Sequence, residues 1–340
     1  MSLRPAAGSQ TVLRAGWGIY YDSSLSIATD VVNGGPFSFA QYGSAMHAPF
    51  PMLLSYGFTP DLRLPSVRQW SGTVEHMFGD HQLVSAVYEG SVGRQLLRRE
   101  LGGLHNTETL LLALATNNGL SGYHGLQLQY RLRFSHGFSG LASYAWCHSI
   151  DNSSSDSVLH WAVPGRKPSQ DRGSSDFDVR HGLNVIISYA TPHKVRGPFP
   201  SSLFHGWELD GIFHKRTGFP ISVLSADYFM GLSFANVFRP DLVPGQTIWV
   251  TDHSAPGGRW LNPSAFRPAA DFVQGNLGRN VITGFGMDQI DLALQRDFAL
   301  LERRSLQFRI EAFNALNHCS FADPTRFLSS PLSSASLPLC

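Results

Sequence analysis

Histidines, clustered carboxylates and glycine-rich stretches are the residues in this sequence that could do chemistry, and their spacing argues against catalysis. His76, His81, His205 and His214 are scattered, as loop or interior histidines would be. No H-E-x-x-H, C-x-x-C, P-loop or G-x-S-x-G is present. Gly284-Phe285-Gly286 lacks the third glycine of a dinucleotide loop, and no helical pattern follows it. The three cysteines, Cys147, Cys319 and Cys340, lack metal-ligand spacing, so at most one disulfide pair can form. The densest carboxylate set is Asp171, Asp176 and Asp178, beside Arg172 and Arg180. Hard oxygen ligands this close could hold Ca²⁺. An ion-pair network bracing a loop against its strand is the simpler reading. Trp249, Trp260, Phe266 and Phe272 could stack on a sugar or fold their own loop, and self-packing is the simpler reading. No enzyme, catalytic residue, cofactor or metal is expected.

Composition narrows the class. Of 340 residues, 15% are charged, against roughly 25% in ordinary soluble domains. Polarity comes instead from Ser, Asn, Gln and 33 Gly, which suits a sheet with two differently solvated faces and many turns. A net charge of +1, with no Lys/Arg cluster interleaved with aromatics, gives no basis for a nucleic-acid partner. The longest aliphatic run, Leu110 to Ala115, is far shorter than the roughly 20 residues of a spanning helix. Met1-Ser2-Leu3-Arg4-Pro5 has neither apolar core nor cleavage site, so no signal peptide is expected in this chain.

Period-2 alternation is the main signal. Leu126, Leu128, Tyr130, Leu132 and Phe134 point one way, and Gln127, Gln129, Arg131 and Arg133 the other. Successive strand side chains alternate faces, whereas a helix would scatter both sets. The pattern recurs in 180–190, 206–217, 287–298 and 305–314, the last opposing Leu306, Phe308 and Ile310 to Gln307, Arg309 and Glu311. Weaker candidates are 11–21, 67–78, 82–91 and 138–148. Together they make about nine strands of roughly 9–12 residues, the length a tilted strand needs to cross a bilayer.

The connections alternate in length. Residues 22–66, 92–122, 149–179 and 218–286 are long, while 79–81, 135–137 and 299–304 are short and 191–205 intermediate. Outer-membrane barrels have short periplasmic turns and long extracellular loops. Aromatics gather near the strand ends, among them Trp17, Tyr20, Trp70, Phe78, Tyr123, Phe138, Trp146, Tyr189, Trp207 and Phe298. Interfacial girdles would produce this. The pattern predicts Leu126, Leu128, Tyr130, Leu132 and Phe134 facing lipid. It predicts Gln127, Gln129, Arg131, Arg133, Arg309 and Glu311 facing the lumen.

Several segments resemble the β-barrel of Oar-like TonB-dependent transporters. They are Leu13-Arg14-Ala15-Gly16-Trp17-Gly18-Ile19-Tyr20-Tyr21-Asp22, Gln69-Trp70-Ser71 with Tyr88-Glu89-Gly90-Ser91, and Phe308-Arg309-Ile310-Glu311-Ala312-Phe313-Asn314-Ala315-Leu316-Asn317-His318. The most specific is Asp171-Arg172-Gly173-Ser174-Ser175-Asp176-Phe177-Asp178-Val179-Arg180-His181. Another is Gly275-Asn276-Leu277-Gly278-Arg279-Asn280, leading to Asp291-Leu292. The matches run in family order from about residue 11 to 322. The resemblance implies an all-β, antiparallel transmembrane barrel in the bacterial outer membrane. In the intact protein it also implies ligand uptake driven through TonB.

Family members resemble plugged barrels of about 22 strands. Nine strands, with no counterpart of the plug or of the TonB-contacting segment, imply the C-terminal part of such a barrel. Residues 1–322 are read as that partial barrel domain and 323–340 as an unstructured tail. The expected partners are outer-membrane lipid, the missing plug and N-terminal barrel strands, and TonB only in the intact protein. Two rivals stand beside this reading. A soluble or secreted β-rich carbohydrate-binding module would pack its apolar faces together rather than on lipid. A secreted β enzyme would need a converging acid–base or metal constellation.

Overall fold

A computed structural model of the chain describes residues 2–3, 10–22, 39–42, 52–102, 110–154, 167–191, 205–225, 228–229, 232–235, 238–269, 274–301, 304–324, 326–328 and 338–339. Nine long strands dominate them: β1 (Thr11–Tyr21), β2 (Ser66–Phe78), β3 (Gln82–Gly102), β4 (Leu110–Ser135), β5 (Phe138–Asp151), β6 (His181–Ala190), β7 (Trp207–Arg216), β8 (Met287–Leu301) and β9 (Arg304–Ala312). They lie side by side in chain order, each antiparallel to the next. No described helix is long and apolar enough to cross a membrane; a β-barrel crosses with strands.

Register shows why these strands belong together. Directly opposed residues of neighbouring strands share a face. One row reads Leu13, Val74, Ala86, Leu128, Tyr144, Leu183 across six strands. Another reads Val84, Tyr130, Ala142, Val185, Phe213, Ile290. A third reads Leu132, Gly140, Ile187, Gly211, Leu292, Ala312. The alternation of each strand is therefore kept in phase with its neighbours. A slip of one residue would turn a whole apolar set to the opposite face.

Connections at one end of the sheet are short, apart from the intermediate 191–206. Residues 79–81 join β2 to β3, and His136-Gly137 join β4 to β5. The latter is a two-residue hairpin with φ of 52° and 87°, the left-handed pair whose twist matches the flanking strands. The other end carries 22–65, 152–180 and 217–286.

Three expectations change in the structure. Residues 92–122 are not a long loop. β3 and β4 run on to 21 and 26 residues, with register shifts at Gly93/Leu96 and Leu96/Arg98. Alternation is lost there because the extension is covered: Arg98, Arg99, Ala115 and Thr116 are all buried. A strand covered on both faces needs no polar side. Secondly, the 22–66 connection contains the strands Phe39–Tyr42 and Met52–Phe58. The latter pairs with β4 in parallel, an exception to the antiparallel sheet. Thirdly, 218–286 is a folded loop domain rather than a structureless excursion. Ile221, Val223, Leu261, Ala265, Phe266, Leu277 and Ile282 form its core, with Trp249 packed against them. Self-packing thus accounts for Trp249 and Phe266. Trp260 pairs with Val250 in the same domain, and Phe272 lies outside the described residues.

The segment after β9 returns to this loop domain. Leu328 packs on its core, and Phe327 bridges to Leu224. Ser320–Phe321 pairs with Pro338–Leu339. Cys319 is disulfide-bonded and Cys147 is free.

The tight turn gives a direct test. Gly137→Ala puts a side chain at positive φ, 2.5 Å from the Ala190 carbonyl oxygen. We expect it to cost about 1–2 kcal/mol, read as a lowered urea midpoint of the intact, vesicle-inserted barrel that contains this section. His136→Asn, which suits the same turn, should leave the midpoint unchanged or raise it.

Candidate functional site

The second face of the sheet collects the polar residues. One row reads Val12, Glu75, Ser85, Gln129, Ser143, Asn184, His214, Gln289. Gln127 and Arg131 flank Gln129 on β4. On β9, register puts Arg309 opposite Gln295 and Glu311 opposite Ala293, on this same face. Its charges are paired locally. Arg14 meets Glu75 at 2.5 Å, and Arg309 meets Glu311 at 2.6 Å. The Gln295 amide donates to Glu208 at 2.6 Å, and Gln289 to Asp291 at 2.8 Å. Arg133 lies in the register shift between Leu132 and Ser135, with its amide donating to the His81 carbonyl at 2.7 Å. Near the long-loop end, Tyr20, Gln69, Ser71, Glu89, Ser91 and Tyr123 line an open cleft of about 430 Å³ above the bare backbone of Gly16 and Gly18.

The first face carries Leu126, Leu128, Tyr130 and Leu132; the side chain of Phe134 lies outside the described residues. Between two aromatic belts this face is free of charge. Trp17, Trp70, Tyr88, Tyr144 and Trp146 form the belt towards the long loops. Phe78, Phe138, Tyr189, Trp207 and Phe308 form the other, with Phe138 and Tyr189 rings 4.2 Å apart. Tyr20 and Tyr123 belong instead to the polar face. On β8 the charges Asp288 and Arg296 bracket Ile290, Leu292 and Leu294. Eight residues at about 3.3 Å each give roughly 26 Å along the strand. The Arg296 guanidinium lies over the rings of Phe298 and Trp207, at 4.6 and 5.3 Å.

At the long-loop end, two of the motifs singled out in the sequence meet. Asp171 is buried between two arginines. Its Oδ2 accepts from Arg98 at 2.6 Å, and its Oδ1 from Arg239 at 3.2 Å. Arg98, 2% exposed, also donates to the Asn152 carbonyl at 3.1 Å. Arg279 binds Asp151 at 2.6 Å and Asp176 at 3.1 Å. The Asn280 amide donates to Asp176 at 2.6 Å and to the Ser174 carbonyl at 2.7 Å. Asp178 holds Arg180 at 3.0 Å, His148 at 3.1 Å and the Ser149 amide at 2.8 Å. Arg172 is exposed. A Cβ on Gly173 would lie 2.3 Å from the Arg279 carbonyl oxygen, so only glycine lets the two segments close. The three carboxylates face cations rather than one another. Among the described residues no group of three or more acids, histidines or cysteines is arranged for a metal.

This network ties the loop domain to β3 and β5 and to the 167–180 segment. Within the domain, Arg259 lies over Trp249 at 4.1 Å and Phe285 at 5.3 Å, and its burial lowers its pKa. Burial also raises the carboxyl pKa of Asp323, against the pull of Arg326 and Arg216. Arg98 and Arg239 were not singled out in the sequence. They are isolated residues without a motif, and the only hint was a carboxylate cluster in need of cations.

The sequence matches the outer membrane beta barrel domain family over residues 1–336. The chain belongs to that family. It is accordingly a protein of the bacterial outer membrane. No curated protein matches it. Among solved structures it resembles the outer membrane transporter YddB from Escherichia coli, with a TM-score of 0.55 and 10% identity. That match covers 93% of this chain and 36% of the transporter. It also resembles the FrpB iron transporter from Neisseria meningitidis, with a TM-score of 0.49 and 12% identity, covering 99% of this chain and 36% of that one. The chain thus spans about a third of the length of the transporters it matches.

The network predicts a loss on breaking it. Asp171→Ala removes the carboxylate shared by buried Arg98 and Arg239, leaving Arg98 only Glu100 at 3.3 Å, a change that costs about 3–5 kcal/mol. We expect limited proteolysis to cut the 217–286 loop domain in this variant and spare it in the unaltered chain. Arg172→Ala, at the exposed position, should cleave like the unaltered chain.

Proposed function

We propose that this chain is a section of the wall of a TonB-dependent outer-membrane transporter of the Oar-like kind. Leu126, Leu128, Tyr130 and Leu132 contact lipid. Gln127, Gln129, Arg131, Arg133, Arg309 and Glu311 line the interior, where they pair with each other or with a plug. The observation that carries this reading is the charge-free apolar band between two aromatic belts, in phase across the strands. Its extent fits the roughly 25 Å apolar band of such barrels once strand tilt is allowed for.

Hydrocarbon tolerates no unpaired sheet edge. The outer edges of β1 and β9 are completed, in this reading, by further strands of a larger barrel. The section does not transport by itself; uptake belongs to the intact protein, energised through TonB. The long-loop end is the extracellular side, and the ion-pair network holds the loop domain in place there. Ligand contacts fall to the loops and to the polar cleft beside Tyr20 and Tyr123. No observation favours the carbohydrate-binding module, whose apolar strand faces would need to cover each other.

The test is a pair of adjacent substitutions. Leu128→Arg places a charge at mid-bilayer, at a cost of about 2–4 kcal/mol. It should sharply reduce the amount of chain recovered, protease-protected, from outer membranes. Gln129→Arg should leave that amount unchanged. Equal recovery of the two would refute the assignment of faces.

A further inference from the structure

Two arginines stand on the apolar face just beyond the tryptophan belt. Arg68 of β2 opposes Ile19 of β1 and Val92 of β3, and Arg94 of β3 opposes Ser66 of β2. Positions 66, 68 and 70 share a face, so Arg68 and Arg94 are diagonal neighbours, about 7–8 Å apart at their backbones. Arg68 is two residues outward from Trp70, roughly 6–7 Å further along the strand than the belt. Both arginines are exposed, and neither has an ion-pair partner among the described residues. Arg14, Arg98, Arg239, Arg279 and Arg309 are all paired with carboxylates. The nearest acids on these strands, Glu75 and Glu89, belong to the opposite face.

This inference rests on the proposal that the apolar face meets lipid and that the long loops are extracellular. Arg68 and Arg94 then emerge at headgroup depth in the outer leaflet, with Trp17 and Trp70 beside the upper acyl chains. A guanidinium presents paired N–H donors that match two oxygens of one phosphate. Two such groups on adjacent strands form a clamp, and the hydroxyl of Ser66 lies on the same face. We propose that Arg68 and Arg94 bind the phosphate of an outer-leaflet lipid headgroup, fixing the depth of β1–β3 in the membrane.

The test reconstitutes the intact barrel that contains this section into phosphatidylcholine vesicles containing a diphosphorylated glucosamine-disaccharide lipid. After mild detergent extraction, native mass spectrometry counts the retained glycolipid. The unaltered chain should retain it and should not retain the dephosphorylated glycolipid. Arg68→Gln/Arg94→Gln should lower retention about tenfold or more, while Arg14→Gln, on the other face, should not. Arg68→Lys/Arg94→Lys keeps the charge without the fork and should fall between. Undiminished retention by the glutamine pair, or equal retention of the dephosphorylated lipid, would overturn the clamp. Should the glutamine pair not fold, the lysine pair and the two glycolipids decide it with folded protein. A failed clamp with unequal recovery of Leu128→Arg and Gln129→Arg would leave the assignment of faces standing.

Discussion

A β-sheet in hydrocarbon must satisfy its backbone N–H and C=O groups by pairing, because lipid offers no donor or acceptor. Pairing fixes register, and register fixes which side chains share a face. In this chain that constraint extends from Leu13 on β1 to Ala312 on β9. The rows through Leu128, Tyr130 and Leu132 are apolar over most of their length, with Lys215 and Asp288, His76 and Gln82 only towards their ends, and those through Gln127 and Gln129 carry most of the polar groups. A single slipped strand would set Gln129 or His214 among leucines, so the nine strands act as one object.

The long-loop end is built on a different principle. There the strands outrun the apolar band, and β3 and β4 pass into a region covered by other segments. Arginine–carboxylate pairs take over the positioning. Asp171 draws Arg98 from β3 and Arg239 from the loop domain to one carboxylate. Arg279 reaches back to Asp151 at the end of β5. Removing one partner from such a pair costs more than the pair contributes, since a buried charge is left behind. The loop domain therefore has one well-defined seat on the sheet. The long-loop end thus presents a preformed surface.

Much of the spanning region is legible in the sequence, since alternation is a direct consequence of a sheet wetted on one face only. The strands through 126–132, 183–189 and 209–213 could be read residue by residue. Legibility ends where that asymmetry ends. Residues 92–102 and 110–122 are strands, but Arg98, Arg99 and Ala115 are covered, so no period survives. The parallel pairing of Met52–Phe58 with β4 has no local signature. The Asp171–Arg180 and Gly275–Asn280 motifs could each be found in the sequence, but their meeting could not, because Arg279 and Asp176 are 103 residues apart. Arg98 and Arg239 gave no signal, since a lone arginine in a loop looks the same whether it is buried or solvated.

The account turns on which face of the sheet meets lipid. The most direct measurement places single cysteines at each position from Leu126 to Leu132 of the intact barrel, in a Cys147→Ala background, and labels them with nitroxide in vesicles. Collision rates with oxygen, which concentrates in hydrocarbon, and with a water-soluble nickel chelate are then compared. The account predicts alternation with period two: oxygen access at 126, 128, 130 and 132, and nickel access at 127, 129 and 131. Equal access along the segment, or alternation in the opposite phase, would contradict it.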